Sequence, residues 1–187
     1  MQTLLLLSHT TAACFIALLF VRAALHKLGD RYRFQGILAD YGLLPEGTLT
    51  VAALAVPVIE LATAVLLIMP TARPVGAALA GTLLTVYAIA MALSLARGQY
   101  LMDCGCGGAP EPISWMLVAR NAGLVALIAP AALGLVEPAA PSLALDATAL
   151  GMATLLLLLW LTAEAMLANA RRMNEGLPGP ATTWSDT

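Results

Sequence analysis

Five apolar blocks, each close to the ~20 residues that a bilayer-crossing helix needs, govern what this chain can fold into. They run from about residue 4 to 25, 48 to 69, 74 to 96, 113 to 135 and 143 to 167 of the 187. Charged residues make up 11% of the chain, under half the ~25% usual in a soluble domain. Too little is left between the blocks for a separate soluble unit. The formal charge of −2 removes any electrostatic basis for a nucleic-acid partner. The chain therefore reads as an all-α, polytopic membrane protein. One integral unit covers residues 1–169, and a polar, Gly/Pro-punctuated tail over 170–187 is expected to be disordered. The first block has no basic residue ahead of it and outruns a secretory signal core, so it reads as a retained helix.

Two connections are long enough to carry chemistry. In the first, from His26 to Gly47, the residues Phe34, Ile37, Leu38, Tyr41 and Leu44 recur at spacings of three and four. That pattern predicts an amphipathic helix lying in the membrane interface, against lipid headgroups. The second, from Arg97 to Pro112, contains Asp103-Cys104-Gly105-Cys106-Gly107-Gly108. Between the spans, Gly76 and Ala80, with Ala77 and Gly81, form small-xxx-small pairs that predict close packing of the third span on a neighbour. Two spans separate the long connections, which puts both, and the C-terminus, on one side of the membrane. Lys27, Arg31, Arg33, Arg97, Arg171 and Arg172 fall on that side against Arg73 on the other, so the positive-inside count makes it cytoplasmic.

Cys104-Gly105-Cys106 is the motif with a chemical reading. Two residues of extended chain span about 6.6 Å, near the upper limit for disulfide-linked Cα atoms, so bonding needs a bend that Gly105 can supply. So small a ring is strained when oxidised, which suits an oxidant or isomerising pair better than a structural staple. Gly107 and Gly108 predict a segment mobile enough to meet a protein. Ser114 is placed to cap the fourth span, whose N-terminal end favours a nearby thiolate. Two other readings stand beside this one: inert loop cysteines, and soft-metal ligands. For the latter, His26 can join the pair in a three-ligand Cu(I) site, whereas a tetrahedral zinc site is hard to complete, so no resident metal is expected.

Several charges lie where lipid should be. Glu60 is near the middle of the second span, and Arg120, beside Asn121, sits about 9 Å into the fourth at ~1.5 Å per residue. Facing lipid there would cost roughly 2.5–3.5 kcal/mol each, so both should turn inward, toward one another. Arg22 and His26, four apart, offer a second polar face at that depth. One reading makes Arg22, His26, Arg120 and Asn121 a quinone-headgroup site with Glu60 carrying protons. The other makes Glu60 and Arg120 a structural pair, or lets Arg120 snorkel to the interface. Glu164 reads as interfacial, and Tyr100 and Trp115 as aromatic anchors.

Val21-Arg22-Ala23-Ala24-Leu25-His26-Lys27, then Phe34-Gln35-Gly36, Asp40-Tyr41 and Leu44-Pro45, resembles the opening of the methylamine-utilisation MauE family within the wider DoxX-like group. The Cys104-Gly105-Cys106-Gly107 loop, with Ile113-Ser114-Trp115 and Arg120-Asn121 following in order, resembles that family's second signature. The resemblance implies a bacterial inner-membrane protein that helps mature the disulfide-rich β subunit of methylamine dehydrogenase, together with a periplasmic thioredoxin-like partner, MauD. The layout is also similar to vitamin K epoxide reductase and DsbB-type proteins, which pair a four-helix core and a dithiol with a membrane quinone. Those carry a second cysteine pair. Here Cys14 is the only other cysteine, so a partner must supply the remaining thiols. Alternatives are a non-enzymatic anchor for the maturation partner and a Cu(I) carrier. Disulfide chemistry belongs in the periplasm, and the cysteine loop is assigned there against the charge count. Arg22, Lys27, Arg31 and Arg33 are then taken to serve headgroups or the site.

Overall fold

The computed structural model describes residues 2–99, 103–105, 112–135 and 142–174. Among the described residues, six α-helices follow in order: α1 (Gln2–Gly29), α2 (Arg31–Tyr41), α3 (Leu49–Ile68), α4 (Arg73–Ala96), α5 (Trp115–Ala132) and α6 (Leu143–Asn174). All but α2 are long and apolar enough to cross a membrane. The expected five-span, all-helical class is therefore what the chain adopts.

Local chemistry sets the ends of these helices. Asp30 caps α2 by accepting from the Arg33 N–H, and Gly42, at φ 60°, closes it with a bond to the Ala39 carbonyl. Pro74 opens α4 in the first turn, where a missing N–H costs nothing. On the side away from the cysteines, Arg73 donates to the Leu67 carbonyl and to Thr10 Oγ1, tying the α3–α4 turn to the start of α1.

The core is built by α1, α3, α4 and α5. α3 and α4 form an antiparallel hairpin, α5 packs along α4, and α1 lies against α3 and touches α5. Ile16, Phe20, Leu67, Leu84, Leu124 and Ile128 fill the middle. α6 leans on α1 through the buried Ala149 and Ala153, with Phe15 set edge-on to Trp160 at 5.7 Å. Its many exposed leucines suit a lipid-facing surface.

The small-residue pairs behave as expected. Gly76, Ala77 and Ala80 are buried, and a Cβ at Gly76 would stand 2.7 Å from the Leu67 backbone nitrogen. Gly76→Ala must therefore push α4 off α3. Overpacking of this kind costs roughly 1–3 kcal/mol. The expected result is a lower melting temperature in detergent, whereas Gly123→Ala, with open space around it, leaves melting unchanged.

Boundaries differ from the sequence reading in two places. α1 continues past residue 25 to Gly29, carrying His26 and Lys27 on the helix. α6 continues to Asn174, five residues beyond the expected unit, because Ala168, Ala170 and the two arginines are good helix formers. The rest of the expected tail, 175–187, and the Pro-rich stretch 137–141 lie outside the described residues.

Candidate functional site

Residues 103–105 of the cysteine loop are seated on α2. Arg33 Nη2 bonds Asp103 Oδ2 at 2.7 Å, and Asp103 Oδ1 accepts from the Gly105 N–H at 3.3 Å. Gly105 is buried with φ 67°, facing Ile37 and Phe34. Cys104 is half-buried and packs beside the cluster of Tyr41, Met91, Leu95, Ile113 and Leu117. Cys106, Tyr100 and the expected flexible Gly107 and Gly108 lie outside the described residues. Ser114 occupies the N-cap of α5, but its Oγ makes no cap bond and has no partner among the described residues. The expected side-chain cap is thus absent, and the Ser114 carbonyl closes the turn by accepting from Leu117 and Val118. Trp115 is exposed.

Gly105 is conformationally required. A side chain there adopts a left-handed backbone at roughly 1–2 kcal/mol, and its Cβ meets Ile37 at 3.2 Å. Gly105→Ala is expected to lift the loop off α2. Alkylation of Cys104 should then speed up while the melting temperature of the bundle holds.

Beneath the loop lies an apolar cavity of about 410 Å³ between α2, α3 and α4. Cys104 and Gly105 line it together with Ile37, Val56, Ala90 and Met91, and Lys27, Tyr41 and Tyr87 are among its polar members.

Lys27 and Glu60 form a buried ion pair, 4% and 0% exposed. Tyr87 also donates to Glu60 Oε1, at 2.8 Å. The Lys27 ammonium lies over the rings of Phe34 and Tyr87, at 5.4 and 5.3 Å. Glu60 therefore pairs with Lys27, not with Arg120 as the sequence suggested. Lys27 reaches back from the end of α1 into the bundle, where a mid-span carboxylate demands the nearest cation. Its burial also weakens the positive-inside count, as does the pairing of Arg33 with Asp103.

Arg120 takes a different partner. Its Nη1 bonds Glu164 Oε1 at 3.0 Å, Arg22 Nη1 reaches Oε2 at 3.3 Å, and the Trp160 indole donates to Oε1 at 2.8 Å. Glu164 is thus held by two guanidiniums and is not simply interfacial. Asn121 is buried and donates to the Leu117 carbonyl at 2.9 Å. Arg22, Arg120 and Asn121 line one crevice of about 60 Å³, which also touches Glu60, Lys27 and Tyr87. His26 is exposed and lies outside it. None of the four residues expected at a quinone headgroup lines the cavity beneath Cys104.

Sequence reasoning missed Tyr87 as a site residue, and named Lys27 only as one of four cations serving headgroups or the site. A signal existed for Tyr87: it lies mid-span on α4, away from the interfaces where tyrosines usually anchor. For soft metals, no group of three His, Cys, Asp or Glu side chains comes together among the described residues.

The fold and site together define a small multi-pass membrane protein with a cysteine loop fixed over an apolar cavity and buried charges behind it. Residues 1–137 match the family of methylamine utilisation protein MauE. The chain belongs to that family. It is 40% identical over 170 residues to methylamine utilization protein MauE of Paracoccus denitrificans, covering 88% of this chain and 91% of that one. To the Methylorubrum extorquens protein of the same name it is 38% identical over 155 residues, 79% and 82% of the two chains. No solved structure matches. The family match includes every residue of the cysteine loop and the Lys27–Glu60–Tyr87 triad, while Trp160 and Glu164 lie beyond it.

Proposed function

We propose that the chain is a membrane thiol–disulfide redox protein of methylamine utilisation, placed in the bacterial inner membrane with its cysteine loop in the periplasm. Cys104 and Cys106 exchange a disulfide with a thioredoxin-like partner, MauD, in the service of disulfide formation in the methylamine dehydrogenase β subunit. The observation that carries this reading is the seat of Cys104: half-buried, at the wall of an apolar cavity that opens under the interfacial helix.

The cysteines gain two electrons and two protons when they take the partner's dithiol to a disulfide, and must lose them again to turn over. A membrane quinone, when bound, supplies a two-electron, two-proton acceptor. The chain's residues fit such a molecule. A cavity of about 410 Å³ falls within the ~300–1,000 Å³ of small-molecule sites. Its walls are apolar enough for an aromatic ring and an isoprenoid chain, and Lys27 and Tyr87 offer a cation and a hydroxyl. Ile37 and Phe34 back Gly105 at the wall of the cavity. The likeness to vitamin K epoxide reductase and DsbB-type proteins belongs to this proposal: a four-helix core with a dithiol beside the start of a helix.

Reduced, purified protein mixed with a short-chain ubiquinone tests the reading. Loss of two thiols per chain with one equivalent of quinol formed is the expected result. Thiols that persist in the presence of excess quinone would remove the acceptor.

A further inference from the structure

The Lys27–Glu60–Tyr87 triad and the Arg22–Arg120–Glu164 cluster meet at one crevice. Each side contributes a buried polar atom with no hydrogen-bond partner among the described residues: Glu60 Oε2, an acceptor, and Arg120 Nε, a donor. Buried polar atoms are rarely left unmatched, and a charged one is the most costly to leave so. The two are complementary in sense and line the same crevice. Its volume of about 60 Å³ exceeds the roughly 10–15 Å³ that one water requires.

We propose that this crevice holds ordered water joining Glu60 Oε2 to Arg120 Nε, and that the water carries protons from the Glu164 end to the Lys27–Tyr87 wall of the apolar cavity. Glu164 and Arg22 are a quarter to a third exposed, which gives the crevice an outer end, whereas Glu60 is fully buried. Lys27 and Tyr87 line both spaces and form the partition between them. The proton role rests on the thiol-oxidation reading above. Closing the disulfide breaks two S–H bonds, forms one S–S bond and sends two electrons to a quinone-class acceptor, which gains two protons. The thiol protons leave at the loop's aqueous edge, and an equal number reach the acceptor through the crevice.

Radiolytic hydroxyl-radical labelling tests the water directly, because the radical forms from water at the site. Tyr87 is expected to label several-fold faster than Phe15, which is buried in the apolar core and does not line the crevice. Ala23→Leu fills the crevice without removing a charge, and Tyr87 labelling should fall toward the level of Phe15. Wild-type labelling of Tyr87 no faster than that of Phe15 overturns the water site, whatever the thiols do. Ala23→Leu, which keeps the Lys27–Glu60 pair intact, should slow oxidation of the thiols by short-chain ubiquinone several-fold while leaving exchange with a disulfide peptide unchanged. Unaltered quinone kinetics in that variant overturn the proton role. Wild-type protein that reduces no quinone removes the acceptor and the proton role together, and the labelling still decides the water site.

Discussion

Lys27→Met is expected to lower the melting temperature of the bundle sharply, and Glu60→Leu in the same chain to restore it. The single change leaves Glu60 fully buried beside an apolar side chain, with only the Tyr87 hydroxyl still bonded to it. Breaking a buried pair from one side costs about 3–5 kcal/mol, against a total stability of about 5–15 kcal/mol. The double change removes both charges and fills the space with apolar atoms, which is neutral or stabilising in comparable cases. Adding Tyr87→Phe takes away the hydroxyl that would otherwise lose its acceptor. Size-exclusion profiles and melting temperatures in detergent check the series. A double variant as unstable as Lys27→Met would show that the two side chains do not act as a pair.

Loss of either loop cysteine is expected to have the largest functional effect. In a host lacking its own copy, Cys104→Ala and Cys106→Ala should each reduce methylamine dehydrogenase activity to background while the membrane holds normal amounts of the protein. A half-buried Cys104 packed beside Tyr41, Met91 and Leu117 makes Ala a mild structural change there, so the loss would report chemistry. A chain acting only as a membrane anchor would keep full dehydrogenase activity in the double Cys→Ala variant.

The sequence announced its spans because lipid enforces them: a continuous apolar block of the right length has few other folds open to it. The short helix α2 was legible for a related reason, its apolar residues recurring at helical spacing from Phe34 to Tyr41. Partner choice was not legible. Glu60 had to find a cation, but Arg22, Lys27 and Arg120 all come from the same side of the membrane, and helix rotation decided among them. Glu164, near the end of the last span, could equally have stayed at the interface. The seat of the cysteine loop joins Arg33 to Asp103 across 70 positions. A contact of that separation leaves no local pattern to read. The motif itself was plain, while the cavity beneath it comes only from how α2, α3 and α4 converge.

The most direct measurement is disulfide trapping in intact cells, with Cys104→Ala and Cys106→Ala expressed separately and membrane proteins resolved without reductant. A single remaining loop cysteine cannot complete exchange, so one of the two variants should accumulate a reductant-sensitive adduct with a thioredoxin-like protein. If neither variant ever carries such an adduct, the cysteines do not exchange disulfides with a partner, and the account is wrong at its centre.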